Sequence, residues 1–148
     1  RCRSDYQARI SGPLLDRIDL RIRVPAVAAV DLVEPGATEP SAAVAERVTR
    51  ARQRQEERFV ALDQPAIATN ALCPVALIEA VARPDGAGAN LLHRAAEQLR
   101  FSARTYHRVL KVARTLADLD DAGEIGRVHI AEAIAYRLPG DGLAVAAA

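Results

Sequence analysis

Residues 102–119 read SARTYHRVLKVARTLADL, and this stretch decides the fold. Tyr106, Val109, Leu110, Ala113, Leu116 and Ala117 fall at the i, i+3, i+4, i+7 spacing that lines one face of an α-helix. Ser102 stands where a hydroxyl can accept from a free N–H of the first turn, so a helix over 103–119 is expected. Such a helix gains most of its stability by burying its apolar stripe against neighbours.

The neighbours are legible on both sides. Upstream, 89–101 is amphipathic, with Leu91, Leu92, Ala95, Ala96 and Leu99 inward, and 85–88 reads as a turn. Pro74 suits a first helical turn, and 75–82 reads as a short helix stopped before Pro84. Downstream, 120–126 reads as a turn, and 128–138 as a last helix carrying Ile130, Ala133, Ile134 and Arg137 at helical spacing before Pro139. Farther upstream Ser41 reads as the N-cap of a helix reaching about Phe59. Its face Val44, Val48, Ala51 and Gln55 is only weakly apolar, and 60–73 reads as irregular.

The first forty residues differ. Ile18, Leu20, Ile22 and Val24 alternate with Asp19, Arg21 and Arg23, the period of a half-buried strand, and Pro25 stops it. A lone strand needs a sheet partner, and no second strand is convincing in the sequence, so the partner is expected outside it. Pro25, Pro35, Gly36 and Pro40 mark a connecting segment, and 139–148 reads as a frayed tail. The expected organisation is 1–40, 41–138 and 139–148. The expected class is mainly α: a bundle of about five helices preceded by a short strand-containing piece of a larger α/β unit.

Bulk properties narrow the function classes. Half of the 148 residues are hydrophobic, but only two are Phe and three Tyr, which suits Ala- and Leu-rich helices better than sheets. The net charge of +1 gives no global case for nucleic-acid binding. Cys2 and Cys73 form no CxxC pair, and a reducing cytoplasm fits better than a disulfide framework. Neither a transmembrane run nor a signal-peptide pattern is expected. The chain opens on Arg1 rather than Met, which suggests a cut from a longer protein.

Two blocks could carry chemistry. In SGPLLDRIDL, residues 11–20, Gly12 and Pro13 set a tight entry, Leu14 and Leu15 anchor it, and Arg17 follows on a short turn. A guanidinium on a rigid turn can stabilise a transferring phosphoryl group in a neighbouring subunit. By itself, Arg17 between Asp16 and Asp19 reads more simply as an ion-paired surface residue. In the 102–119 block, Arg104, Arg108, Lys111 and Thr115 make a polar stripe opposite the apolar face. Arg104 sits in the first turn, where its charge opposes the helix dipole and where an anion would relieve it. The simpler reading is a solvated face. The helix at 41–59 carries Arg47, Arg50, Arg54 and Arg58 on one broad face, diluted by Glu46, Glu56 and Glu57; a phosphate-contacting surface and a solvated helix both fit it.

Taken together, the two blocks resemble the magnesium-chelatase-like (ComM/YifB) family of AAA+ ATPases. SGPLLDRID, then SARTYHRVLKVARTLADL, then HIAEAIAYR at 129–137 stand in the family's order, and the likeness covers essentially all of 1–138. It implies that Arg17 is an arginine finger acting on a neighbour's nucleotide. It implies that Arg104 is the sensor-2 residue of a helical lid, on the nucleotide of its own core, with Arg108 a weaker candidate beside it. It further implies ATP and Mg2+ as cofactors of the full-length protein, self-assembly into a hexameric ring, and DNA as substrate in branch migration during recombination or competence. No G-x-x-x-x-G-K-[ST] loop occurs here, so this segment alone is not expected to hydrolyse ATP. The family often carries cysteines before this block, and Cys2 would then be the remnant of a cluster, although no metal site is expected in this chain. Two other readings stand beside it: a helical DNA- or protein-binding module, and a motor subunit of a metal chelatase.

Overall fold

The computed structural model describes Leu14, residues 17–22, Val24, Ala26 and residues 39–137. The expectations for Cys2, for the entry at 11–13, for most of the 25–40 connection and for the tail lie outside the described residues. Five α-helices occur among the described residues: α1 Ser41–Ala61, α2 Val75–Val81, α3 Gly86–Gln98, α4 Ala103–Leu119 and α5 Arg127–Ala135. A 3-10 turn, Asn70–Leu72, lies between α1 and α2. The fold is mainly helical, as the periodicity implies.

α4 is the axis of the bundle. It packs against α5, α1, α2 and the 3-10 turn, while α5 also packs on α3. Val109, Leu110, Ala113 and Ala117 of α4 meet Leu91, Leu92 and Ala95 of α3 and Ile130, Ala133 and Ile134 of α5 in one buried core, with Ile78 and Ile125. The alanines let helix axes approach closely, while each buried Leu or Ile contributes roughly 1.5–3 kcal/mol. Phe59, Cys73 and Val81 form a smaller cluster under α1.

Helix ends follow local chemistry. The Ser102 hydroxyl accepts from Thr105 N at 3.1 Å, the expected cap of α4. α3 begins earlier than its apolar pattern implies, because the Asp85 carboxylate caps it by accepting from Gly88 N at 2.6 Å. The stretch read as a turn is therefore the first helical turn. Gly88 suits this close approach: a Cβ would stand 3.1 Å from Asp85 Oδ1, 3.2 Å from Pro84 Cβ and 3.3 Å from the Ile125 carbonyl. That tight approach lets Asp85 N donate to Ile125 O at 2.9 Å, tying the α2–α3 link to the α4–α5 link. Ser41 is the first residue of α1 rather than its cap; Pro40 occupies the cap position without a side-chain bond.

α3 and α4 both close by the Schellman pattern, in which a residue of left-handed backbone follows the cap. Arg100 (φ 50°) lets Phe101 N donate to Ala96 O at 2.9 Å, and Asp121 (φ 64°) lets Ala122 N donate to Ala117 O at 2.8 Å. The reversal at Arg100 places Ser102 to cap α4.

The expected strand is not seen. Among the described residues, 18–22 run irregularly, and Ile18, Leu20, Ile22 and Val24 are exposed. The alternating pattern has no neighbouring strand to pair with among them, and a strand without a ladder leaves its backbone groups unsatisfied.

Candidate functional site

The N-terminal half of α4 presents the site. Arg104 is exposed on its first turn and makes no hydrogen bond or ion pair among the described residues. Arg108 lies one turn further along the same face. Its Nη1 donates to the Arg17 carbonyl at 2.8 Å and to Asp19 Oδ1 at 2.5 Å. From beyond α5, Arg137 Nη1 donates to the Ile18 carbonyl at 3.3 Å and stands 3.6 Å from Asp19 Oδ1. Arg21 N donates to the Tyr136 carbonyl at 2.8 Å. Residues 17–21 are thus stitched to two elements of the bundle.

Arg17 sits on a turn in which its N–H donates to the Leu14 carbonyl at 3.0 Å. Its guanidinium is exposed and makes no hydrogen bond or ion pair among the described residues. The ion-paired reading of Arg17 therefore fails for Asp19, whose carboxylate is taken by Arg108 and Arg137. Asp16 lies outside the described residues. The turn that carries Arg17 is bonded to Arg108, which lies one helical turn from Arg104. Arg21, Arg100, Arg137, Ser102 and Thr105 line a cleft of about 250 Å³ at the start of α4.

The polar stripe of α4 is not one solvated face. Lys111 Nζ donates to the Ala71 carbonyl at 2.9 Å, fixing the 3-10 turn on α4. Thr115 accepts from Asn70 Nδ2 at 3.1 Å. Only Arg104 of the four is left without a partner among the described residues.

Four of the five arginines of α1 are matched by acids, while Arg52 makes no ion pair among the described residues. Arg47 donates to Glu39 at 2.7 and 3.2 Å, and this hydrogen bond is the main reason its pKa rises above the ordinary value. Arg50 pairs with Glu46 at 2.6 Å, and Arg54 with Asp121. Arg58 turns inward. Its Nη1 donates to Asn70 Oδ1 at 3.1 Å and to Asp118 Oδ2 at 3.0 Å, and its Nη2 also bonds Asp118.

Asp118 is the hub of a buried network that sequence reading missed. Arg114 Nε donates to Asp118 Oδ1 at 3.1 Å, and Asn70 Nδ2 to Oδ2 at 2.8 Å. Arg114 also donates to the carbonyls of Gly123 at 2.9 Å and Ala122 at 2.7 Å. Burial is the main cause of a lowered Arg114 pKa, with Asp118 pulling the other way. One signal was available: Gln55 on the inward face of α1 and Arg137 on the apolar stripe of the last helix are polar residues at buried positions. Such groups must find partners. Gln55 Oε1 accepts from Asn70 N at 2.9 Å.

His129 is structural, its Nδ1 accepting from Gly126 N at 2.9 Å. No group of three or more His, Cys, Asp or Glu side chains able to hold a metal occurs among the described residues. No helix among them is long and apolar enough to cross a membrane.

Arg17 and Arg104 are exposed guanidinium groups without a side-chain partner among the described residues. The chain belongs to the magnesium chelatase family: the family described as "Magnesium chelatase, subunit ChlI C-terminal" matches residues 38–137, and "Magnesium chelatase, subunit ChlI" matches residues 1–32. Among characterised and uncharacterised relatives, it is 41% identical over 133 residues to the competence protein ComM of Haemophilus influenzae, covering 89% of this chain and 25% of that protein. It is 38% identical over 135 residues to the uncharacterized protein YifB of Escherichia coli, covering 89% and 25%. It is 33% identical over 141 residues to an uncharacterized protein of Mycobacterium tuberculosis, covering 91% and 26%. The chain thus spans about a quarter of the length of these curated relatives.

Proposed function

We propose that this chain supplies the arginine finger and the sensor-2 lid of a ring-forming AAA+ ATPase, with 1–40 as the end of the ATPase core, 41–138 as the lid and 139–148 as a tail. The observation that carries this reading is the bond between α4 and the turn that carries Arg17. Arg17 and Arg104 both keep their guanidinium groups unpartnered among the described residues, and Arg108 joins the two places by bonding the Arg17 carbonyl.

Guanidinium groups fit phosphate oxygens, to which they donate two parallel charge-assisted hydrogen bonds. ATP and Mg2+ are the cofactors this reading requires. The donor set suits the nucleotide's phosphates, while Mg2+ ligation falls to the nucleotide-binding core. When bound, ATP supplies the phosphoryl group whose charge must be stabilised during transfer. Arg17 stabilises that charge from a neighbouring subunit, and Arg104 contacts the nucleotide through the lid.

The substrate is DNA, remodelled in the cytoplasm by a hexameric ring in branch migration. Support comes from family membership and from a relative that bears the name competence protein. The reading as a stand-alone DNA- or protein-binding module has less support, since each of Arg47, Arg50, Arg54 and Arg58 is matched by a carboxylate. The metal-chelatase reading rests on the family name alone.

The test is ATP turnover and nucleotide binding in the full-length protein. Arg17→Ala is expected to lower turnover by about a thousandfold or more with binding nearly intact. Retained turnover removes the finger. Arg104→Ala is expected to weaken nucleotide binding and turnover together, and unchanged values of both remove the sensor.

A further inference from the structure

Arg108 stands next to both candidate nucleotide contacts, yet its geometry suits another task. Its guanidinium bonds the carbonyl of residue 17 and the carboxylate of residue 19, while Arg137 takes the carbonyl of residue 18. Three successive residues around the finger are thus gripped by side chains that are distant in sequence. Arg137 keeps only 4% of its side chain exposed. Burying a guanidinium is unfavourable unless it is well partnered, so its placement under this segment is a strong constraint on geometry.

We infer that Asp19, Arg108 and Arg137 form a clasp that positions the Arg17 finger relative to Arg104, making α4 a rigid link between the nucleotide contact of the lid and the finger. This rests on the reading of Arg17 as a finger. Arg108 is a positioning residue in this scheme and does not touch the nucleotide. A helix is stiff over one turn, so a shift of Arg104 on its anion moves Arg108 with it. Arg108 in turn carries the Arg17 carbonyl. Displacements of about 1 Å at such a contact change rates by up to about a hundredfold, so a loose clasp is costly to turnover without touching affinity.

The experiment uses the full-length ATPase and three variants: Arg17→Ala, Asp19→Asn and Arg108→Gln, with the Asp19→Asn/Arg108→Gln double. Turnover, nucleotide affinity and amide hydrogen exchange over 17–22 are read for each. Asp19→Asn and Arg108→Gln are each expected to lower turnover by about tenfold to a hundredfold, leave affinity unchanged and speed exchange over 17–22. The double variant is expected to be no worse than the poorer single, because both act through one clasp. A merely structural role would lower affinity, turnover and thermal midpoint together and would overturn the proposal. Normal turnover in Asp19→Asn, with Arg17→Ala inactive, overturns the clasp and leaves the finger standing. Loss of affinity in Arg108→Gln alone overturns it by making Arg108 a nucleotide contact. Normal turnover in Arg17→Ala removes the finger, and the clasp's function with it.

Discussion

Asp118 and Asp19 are held in the same way, each by two arginines of which one belongs to α4. Arg114 and Arg58 hold the first; Arg108 and Arg137 hold the second. Their surroundings separate them. The Asp118 side chain is fully buried, whereas that of Asp19 is 47% exposed. Asp118 also bonds Asn70 and joins α1, the 3-10 turn and the end of α4 within one interior. Asp19 joins a short segment to the outside of the bundle. Water competes for the Asp19 carboxylate and is excluded from that of Asp118, so similar contacts contribute more to the stability of the bundle inside than outside.

Asp118→Ala leaves Arg114 and Arg58 without their acid, and it is expected to destabilise the bundle by about 3–5 kcal/mol. Urea unfolding followed by circular dichroism measures this, and a loss no larger than that of an exposed pair would erase the distinction. Asn70→Ala comes next, at about 1–3 kcal/mol, because buried acceptors of Asp118 and donors of Arg58 lose a partner. Asp19→Ala is expected to change bundle stability by only about 0–1 kcal/mol, while exchange of the Arg21 amide rises. Added salt should loosen the Asp19 clasp in the same way and leave the Asp118 network nearly untouched, since screening acts on exposed charges.

The smallest effect concerns the interior cluster around Cys73. Burial pushes its thiol above the ordinary value of 9.0, with Lys111 acting in the opposite sense. Between the unfolded and folded values the unfolded chain loses this proton first. The contribution to stability is therefore fully present below the unfolded value and is lost as pH rises through the folded one. A slight fall in the unfolding midpoint above pH 9.0, absent in Cys73→Ala, is the expected result. Alkylation of Cys73 should also wait on unfolding.

Much of the bundle was legible because its information is local. The span of α4 and its Ser102 cap follow from spacing and one hydroxyl, and Leu91, Leu92, Ile130 and Ile134 are buried where periodicity places them. The start of α3 was missed because Asp85, Gly86 and Gly88 look like a turn until the close approach of Ile125 explains the glycine. The strand at 18–24 was inferred from an alternation that has no pairing partner among the described residues. The roles of Arg108 and Asp118 were illegible because their partners lie 89 and 60 positions away in the chain.

By itself the sequence determined the helices, their inward faces and the two arginine blocks, since turn chemistry and apolar spacing act within a few residues. Which arginines stay open and which are consumed by partners was decided only by the tertiary structure. A guanidinium's state depends on the acid brought beside it, and distant segments meet only after α4 has buried its stripe. Arg17 and Arg104 have no side-chain partner among the described residues, while Arg58, Arg108 and Arg114 look the same in sequence and are held by Asp118 and Asp19.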